Sequence, residues 1–144
     1  MSNGALPIVL HGTQVKGLGL GSSRVVPTIN IHLLEGQAHD LAGVYGGFTT
    51  LQFPTYSKSF LSAIHIGPKP TLQTHIVSIE SHLIQTKSLC SDYNTQNITL
   101  KLIHHIRDTQ AFATIEALKT QIQKDIDIII QTCGRLDDTS DEPL

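Results

Sequence analysis

Glu80 is the one acid between Asp40 and Asp92, and it lies inside an apolar run, Ile79-Glu80-Ser81-His82-Leu83. A carboxylate in such a run costs free energy unless it is paired or faces a cleft. In an extended chain alternate residues share a face, so Glu80 and His82 point one way while Ile79, Ser81 and Leu83 point the other. Two readings stay open: a solvent-exposed face, which Ser78 would share, or an acid set to work on a substrate. A second pair, Thr28 and Asn30 in Pro27-Thr28-Ile29-Asn30, is spaced by two and shares a face of an extended segment. A hydroxyl and an amide oxygen there can hold a hard cation such as Mg²⁺, with phosphates and waters completing its shell. The plain alternative is a turn followed by the start of a strand. A third candidate is the glycine loop Gly17-Leu18-Gly19-Leu20-Gly21-Ser22-Ser23-Arg24. Alternating glycines let backbone N–H groups approach phosphate oxygens. No Gly-Lys-Ser/Thr follows, so this is not a P-loop. Ser22 stands where a dinucleotide fingerprint needs its third glycine, and Pro27 interrupts any following helix. Taken alone, it is a Gly-rich β-turn. The histidines show no zinc-site spacing.

These residues must be positioned by a single domain, the expectation for 144 residues. With 40% apolar and 15% charged residues the chain is neither disordered nor a coiled coil. Its apolar runs fall far short of the roughly 20 residues that span a bilayer. The N-terminus lacks the pattern of a secretory signal. Cys90 and Cys133 form no C-x-x-C pair and read as reduced thiols, so a cytoplasmic protein with no membrane partner is expected. Four of the 12 acids (Asp137, Asp138, Asp141, Glu142) crowd into the last eight residues, leaving 1–134 with nine bases and eight acids. A near-neutral body with seven aromatics and no Trp argues against nucleic-acid binding. Six β-rich segments, at 8–15, 28–33, 43–53, 59–66, 76–86 and 97–107, are separated by turn-forming clusters, the pattern of a barrel or sandwich. The period then changes. Thr114 can cap a helix with Glu116 in its first turn, and Ile115, Leu118, Ile122, Ile126, Ile129 and Cys133 form one apolar stripe ending at Gly134. Residues 1–134 are thus expected to form a barrel plus one helix, and 135–144 a mobile acidic tail.

In this order the motifs resemble the riboflavin kinase family, which includes stand-alone enzymes and the kinase half of bifunctional FAD synthetases. The resemblance runs from about Leu10 to about Asp127. It rests on the glycine loop; Pro27-Thr28-Ile29-Asn30, similar to the family's P-T-A-N; Gly43-Val44-Tyr45; Ile66-Gly67 with Pro70-Thr71; Ile79-Glu80-Ser81-His82-Leu83; Ile106-Arg107 with Phe112; and a helix carrying Leu118, Gln121, Ile122, Asp125 and Ile126. It implies a mainly β fold, a six-stranded Greek-key barrel with a C-terminal helix packed on it, and the reaction ATP + riboflavin → ADP + FMN. By the same resemblance Thr28 and Asn30 are the ligands of ATP-bound Mg²⁺. Gly17, Gly19, Gly21, Ser22, Ser23 and Arg24 join them in binding ATP, Glu80 is the catalytic base on the ribityl 5′-hydroxyl, and Leu83, Gln85, Arg107 and Phe112 lie on the flavin side.

The chain departs from the family where nucleotide contacts are made. The stretch from Gly17 to Pro27 is about one residue short, Val26 precedes Pro27, Leu20 and Ser23 stand where basic residues are usual, and Thr109 stands where an acid is common. The alternative reading is therefore a flavin- or nucleotide-binding barrel of the same fold with impaired catalysis. Only about ten residues precede the barrel, so FMN formation without FAD synthesis is expected, by a stand-alone enzyme or an isolated domain, as a monomer.

Overall fold

The computed structural model describes residues 6–15, 28–33, 41–68, 77–84 and 97–134. Six strands, β1 (Ile8–Val15), β2 (Thr28–Leu33), β3 (Gly43–Gln52), β4 (Ser57–Pro68), β5 (Val77–Leu83) and β6 (Asn97–Arg107), precede one helix, α1 (Ile115–Cys133). The strands close into a barrel in the order β1-β2-β5-β4-β3-β6, every described pairing antiparallel. β3, β4 and β5 form a meander, and β6 returns beside β3, which is the Greek-key arrangement. Closure removes the free edges that an open sheet would expose.

Strand alternation divides the side chains. Ile29, Ile31, Leu51, Ile64, Ile66, Ile79, Leu83, Ile98, Leu100 and Leu102 fill the interior, each at most 3% exposed. Two hydroxyls also turn inward, and they satisfy each other: Thr49 Oγ1 and Ser81 Oγ are 2.6 Å apart. β4 begins two residues earlier than its apolar run suggests. The ladder with β3 continues through polar residues to Gln52 opposite Ser57, where Phe53 N–H donates to the Tyr56 carbonyl at 2.8 Å and the two rings stack. β5 ends at Leu83, and Ile84 N–H then donates to the Leu61 carbonyl.

The helix lies outside the barrel, over β3, β4 and β6. Ile122, Ile126, Ile129 and Cys133 meet Phe48, Leu61, Ala63 and Ile84 of the outer face in a second core. Gly46 sets how closely they approach: a Cβ there would lie 2.9 Å from Ile129 Cγ1 and 3.0 Å from Cys133 Sγ. Thr114 is the N-cap, its hydroxyl accepting from Ala117 N–H at 3.0 Å, as expected. Ile115 departs from the expected stripe. It is 53% exposed because the first helical turn, where 113–117 are all exposed, overhangs the apolar face. Gly134 does end the helix, but in a right-handed conformation, with its N–H still bonded to the Ile130 carbonyl. Cys133 is a free, buried thiol. Cys90 and the tail 135–144 lie outside the described residues. Among the described residues no helix is long and apolar enough to cross a membrane.

Candidate active site

Because Ile29, Ile31, Ile79, Ser81 and Leu83 are committed to the interior, their alternating neighbours on β2 and β5 face outward. Register then decides who meets whom. Asn30 pairs with Glu80, and Glu80 pairs with His65 of β4. Thr28 pairs with His82, and His82 with Ala63. Two parallel rows therefore cross three strands on the outer face: Asn30-Glu80-His65 and, one repeat along, Thr28-His82-Ala63. Directly opposed side chains in such a ladder have Cβ atoms about 5 Å apart. The lone acid of the middle of the chain thus stands beside the hydroxyl–amide pair, although about 50 residues separate them in sequence.

The rows are joined by contacts. Thr28 Oγ1 and His82 Nδ1 are 2.9 Å apart, and His82 Nε2 lies 4.0 Å from Glu80 Oε1. The His82 side chain is 11% exposed and that of Glu80 43%, so the ring is walled in while the carboxylate reaches solvent. Burial, followed by the neighbouring His65, holds the His82 pKa down to about 4, against a smaller opposing pull from Asp125. His65 is lowered as well, by burial first; Glu80 and Asp125 oppose that shift and Arg107 adds to it. Both rings are therefore neutral near pH 7.

A second cluster closes the same end of the sheet. Arg107, the last residue of β6, donates from Nε and Nη2 to the two carboxylate oxygens of Asp125, each at 2.9 Å. Gln121, one turn earlier on α1, donates to Asp125 Oδ1 at 3.0 Å. The remaining arm of Arg107 donates to the Asp108 carbonyl, and its guanidinium lies 5.7 Å from the Phe112 ring centre. The pair is nearly dry, with Arg107 17% and Asp125 3% exposed. The 108–113 segment is thereby tied between barrel and helix, and Thr109 reaches Gly67 beside the His65 ring.

Among the expected site residues, Thr28, Asn30 and Glu80 come together. Arg107 and Phe112 also meet, with the guanidinium of Arg107 held by Asp125. Leu83 is fully buried in the interior, so only its backbone can meet a ligand on the outer wall. Gly17, Gly19, Gly21, Ser22, Ser23, Arg24 and Gln85 lie outside the described residues. His65 was not anticipated as part of the site, and Asp125 not as an ion-pair partner. Counting back along the β4–β5 pairing finds the first, and an acid set between apolar helix positions 122, 126 and 129 signals the second. Among the described residues no group of three His, Cys, Asp or Glu could hold a metal ion. The oxygen donors that adjoin Glu80 are the neutral groups of Thr28 and Asn30.

Comparison with known proteins bears on the family and the fold. The RNA-binding riboflavin kinase RibR of Bacillus subtilis is 30% identical over 123 residues, 84% of this chain and 49% of that protein. The bifunctional riboflavin kinase/FMN adenylyltransferase of Haemophilus influenzae is 27% identical over 121 residues, 84% of this chain and 37% of that one. The chain spans about half or less of the length of these curated relatives. Riboflavin kinase from Trypanosoma brucei shares the fold, with a TM-score of 0.64 at 20% identity over 92% of this chain and 85% of that one. The flavokinase profile, described as riboflavin kinase, matches residues 5–133. A match over that much of the barrel and helix places the chain in the riboflavin kinase family.

Proposed function

We propose that this protein is a riboflavin kinase, moving the γ-phosphoryl group of ATP to the ribityl 5′-hydroxyl of riboflavin and releasing FMN and ADP. The observation that carries the reading is the pairing of Glu80 with Asn30, two residues along the ladder from Thr28. Phosphoryl transfer needs the nucleophile in line with the phosphorus, the phosphate charge neutralised, and one group to orient the attacking hydroxyl. Glu80 suits that last role: it is a half-exposed acceptor on a rigid strand, beside the residues that would face the phosphates. It would hold the 5′-hydroxyl and take its proton late, a contribution worth about 10²–10⁴-fold.

The donor set fits Mg²⁺. Thr28 and Asn30 offer two hard, uncharged oxygens on one face, as suits an ion whose charge is met mainly by phosphates. Bound there with ATP, Mg²⁺ would neutralise charge on the phosphate oxygens. By the family resemblance, the residues 17–24 would cover those phosphates. The flavin would lie toward the segment that Arg107 and Phe112 anchor. The near-neutral charge of 1–134 favours small-molecule substrates over nucleic acid, for this chain as a cytoplasmic monomer.

The test is chromatographic. Incubation with riboflavin, ATP and Mg²⁺ should convert riboflavin to FMN, with one ADP released per FMN. Binding of flavin and nucleotide without turnover would overturn the assignment.

A further inference from the structure

The row that holds Asn30, Glu80 and His65 continues around the barrel. His65 pairs with Val44 of β3, and Val44 pairs with Arg107 of β6. Paired residues share a face, so one line of outward side chains runs Asn30-Glu80-His65-Val44-Arg107 across five strands. Its ends are the two halves of the proposed site, the phosphate side at Asn30 and the flavin side at Arg107. A substrate lying between them must cross β4 and β3. Val44 is 3% exposed and offers only hydrocarbon, so His65 is the polar side chain of this row between Glu80 and Arg107. Its ring is half-buried. Gly67, two residues on and facing the same way, sets no side chain against it: a Cβ there would lie 3.2 Å from His65 Cε1 and 3.6 Å from Thr109 Cγ2. The ring edge that carries the nitrogens is thus flanked by the 108–113 segment. Burial keeps the imidazole uncharged near pH 7. A neutral ring has one N–H that donates and one bare nitrogen that accepts. A run of neighbouring hydroxyls, each able to donate and to accept, suits both.

We propose that His65 is a substrate-binding residue that hydrogen-bonds a secondary hydroxyl in the middle of the ribityl chain, and so selects a polyhydroxylated chain over a bare alkyl one. The assignment rests on the riboflavin kinase reading, with Glu80 at the 5′-hydroxyl. Adjacent strands are about 5 Å apart, the span of a few carbons of an extended chain. With the 5′-oxygen at Glu80 and the flavin toward Arg107, the 2′- to 4′-hydroxyls pass over β4, where His65 stands.

The test uses riboflavin and its 2′-, 3′- and 4′-deoxy analogues, their affinities read by flavin fluorescence quenching in the presence of ADP and Mg²⁺. The wild-type protein should bind one of the three analogues about 5–10-fold more weakly than riboflavin, the size of one lost hydrogen bond. His65→Leu should bind riboflavin more weakly by that same factor, yet bind that analogue as the wild type does. A residue that merely shaped the wall would weaken all four ligands alike. In turnover the KM for riboflavin should rise while the KM for ATP stays. Equal wild-type affinity for all four ligands, or an unchanged preference for riboflavin in His65→Leu, would overturn the proposal. Should His65→Leu not fold, His65→Phe, which keeps a flat ring without the nitrogens, is read the same way. If the wild type makes FMN and the variant keeps its preference, His65 is misassigned and the kinase stands. Riboflavin bound without FMN formation overturns the kinase reading, while the analogue series still judges His65. A wild-type protein that binds no flavin overturns both.

Discussion

Glu80 is a carboxylate and Asn30 an amide one methylene shorter, and the two differ in role. Both face outward at one ladder position, and only one carries charge. Glu80→Gln keeps the shape and removes the proton acceptor, so turnover should fall at least 10²-fold while the KM for riboflavin changes little. Steady-state FMN production on both proteins measures this, and a Gln variant of unchanged kcat would mean that another group orients the hydroxyl. Asn30→Asp tests why the neighbour is neutral. Two carboxylates directly opposed across a pair of strands repel, so this variant should lose about 0.2–1 kcal/mol of stability, and the loss should shrink in high salt. Urea unfolding at low and high salt reads both effects. At this scale the sequence is informative where spacing is local. Thr28 with Asn30, and Glu80 with His82, follow from alternation within one strand. His65 and Asp125 belong to other elements, and no local spacing brings them to Glu80 or to Arg107.

The helix and the end of β6 act as one unit. Packing of Ile122, Ile126, Ile129 and Cys133 holds α1 on the barrel, and the Arg107–Asp125 pair fixes its register against the strand that leads into the 108–113 segment. Removing one member of a pair this dry leaves the other charge buried. Asp125→Ala should therefore cost about 3–5 kcal/mol in urea unfolding, where an exposed pair would cost under about 1. Gly46→Ala attacks the same contact from the sheet. Its new Cβ would lie 2.9 Å from Ile129 Cγ1 and 3.0 Å from Cys133 Sγ, inside van der Waals contact, so the helix must move away, at about 1–3 kcal/mol. Both strand and helix identities are apparent in the chain because period two gives way to period three-to-four at Thr114. The ends are less so. β4 extends into polar residues because β3 supplies a partner for each of them, and Ile115 is exposed because the helix overhangs its support.

Closing the barrel in the order β1-β2-β5-β4-β3-β6 makes β5 the neighbour of both β2 and β4, and this single adjacency creates the candidate site. Strand count suggested a barrel or a sandwich, and only the resemblance to a family chose between them. The order of strands is a global property that alternation within each strand does not encode. The same adjacency buries two imidazoles, His82 and His65, and that burial makes the stability of the whole molecule depend on pH. His82 titrates near 4 in the folded protein and near 6.5 when unfolded. Between those values the unfolded chain binds more protons, so stability rises with pH through that window and is lost on acidification. The shift corresponds to roughly 3 kcal/mol once pH has fallen to about 4, and His65 acts in the same direction. Urea midpoints of the metal-free protein between pH 7 and 4.5 should fall as pH falls, and His82→Gln, which has no proton to gain in this range, should give a flatter curve. An equally steep curve for His82→Gln would mean that the acid sensitivity arises elsewhere and that the His82 ring is better solvated than its place between β2, β4 and the helix-covered face implies.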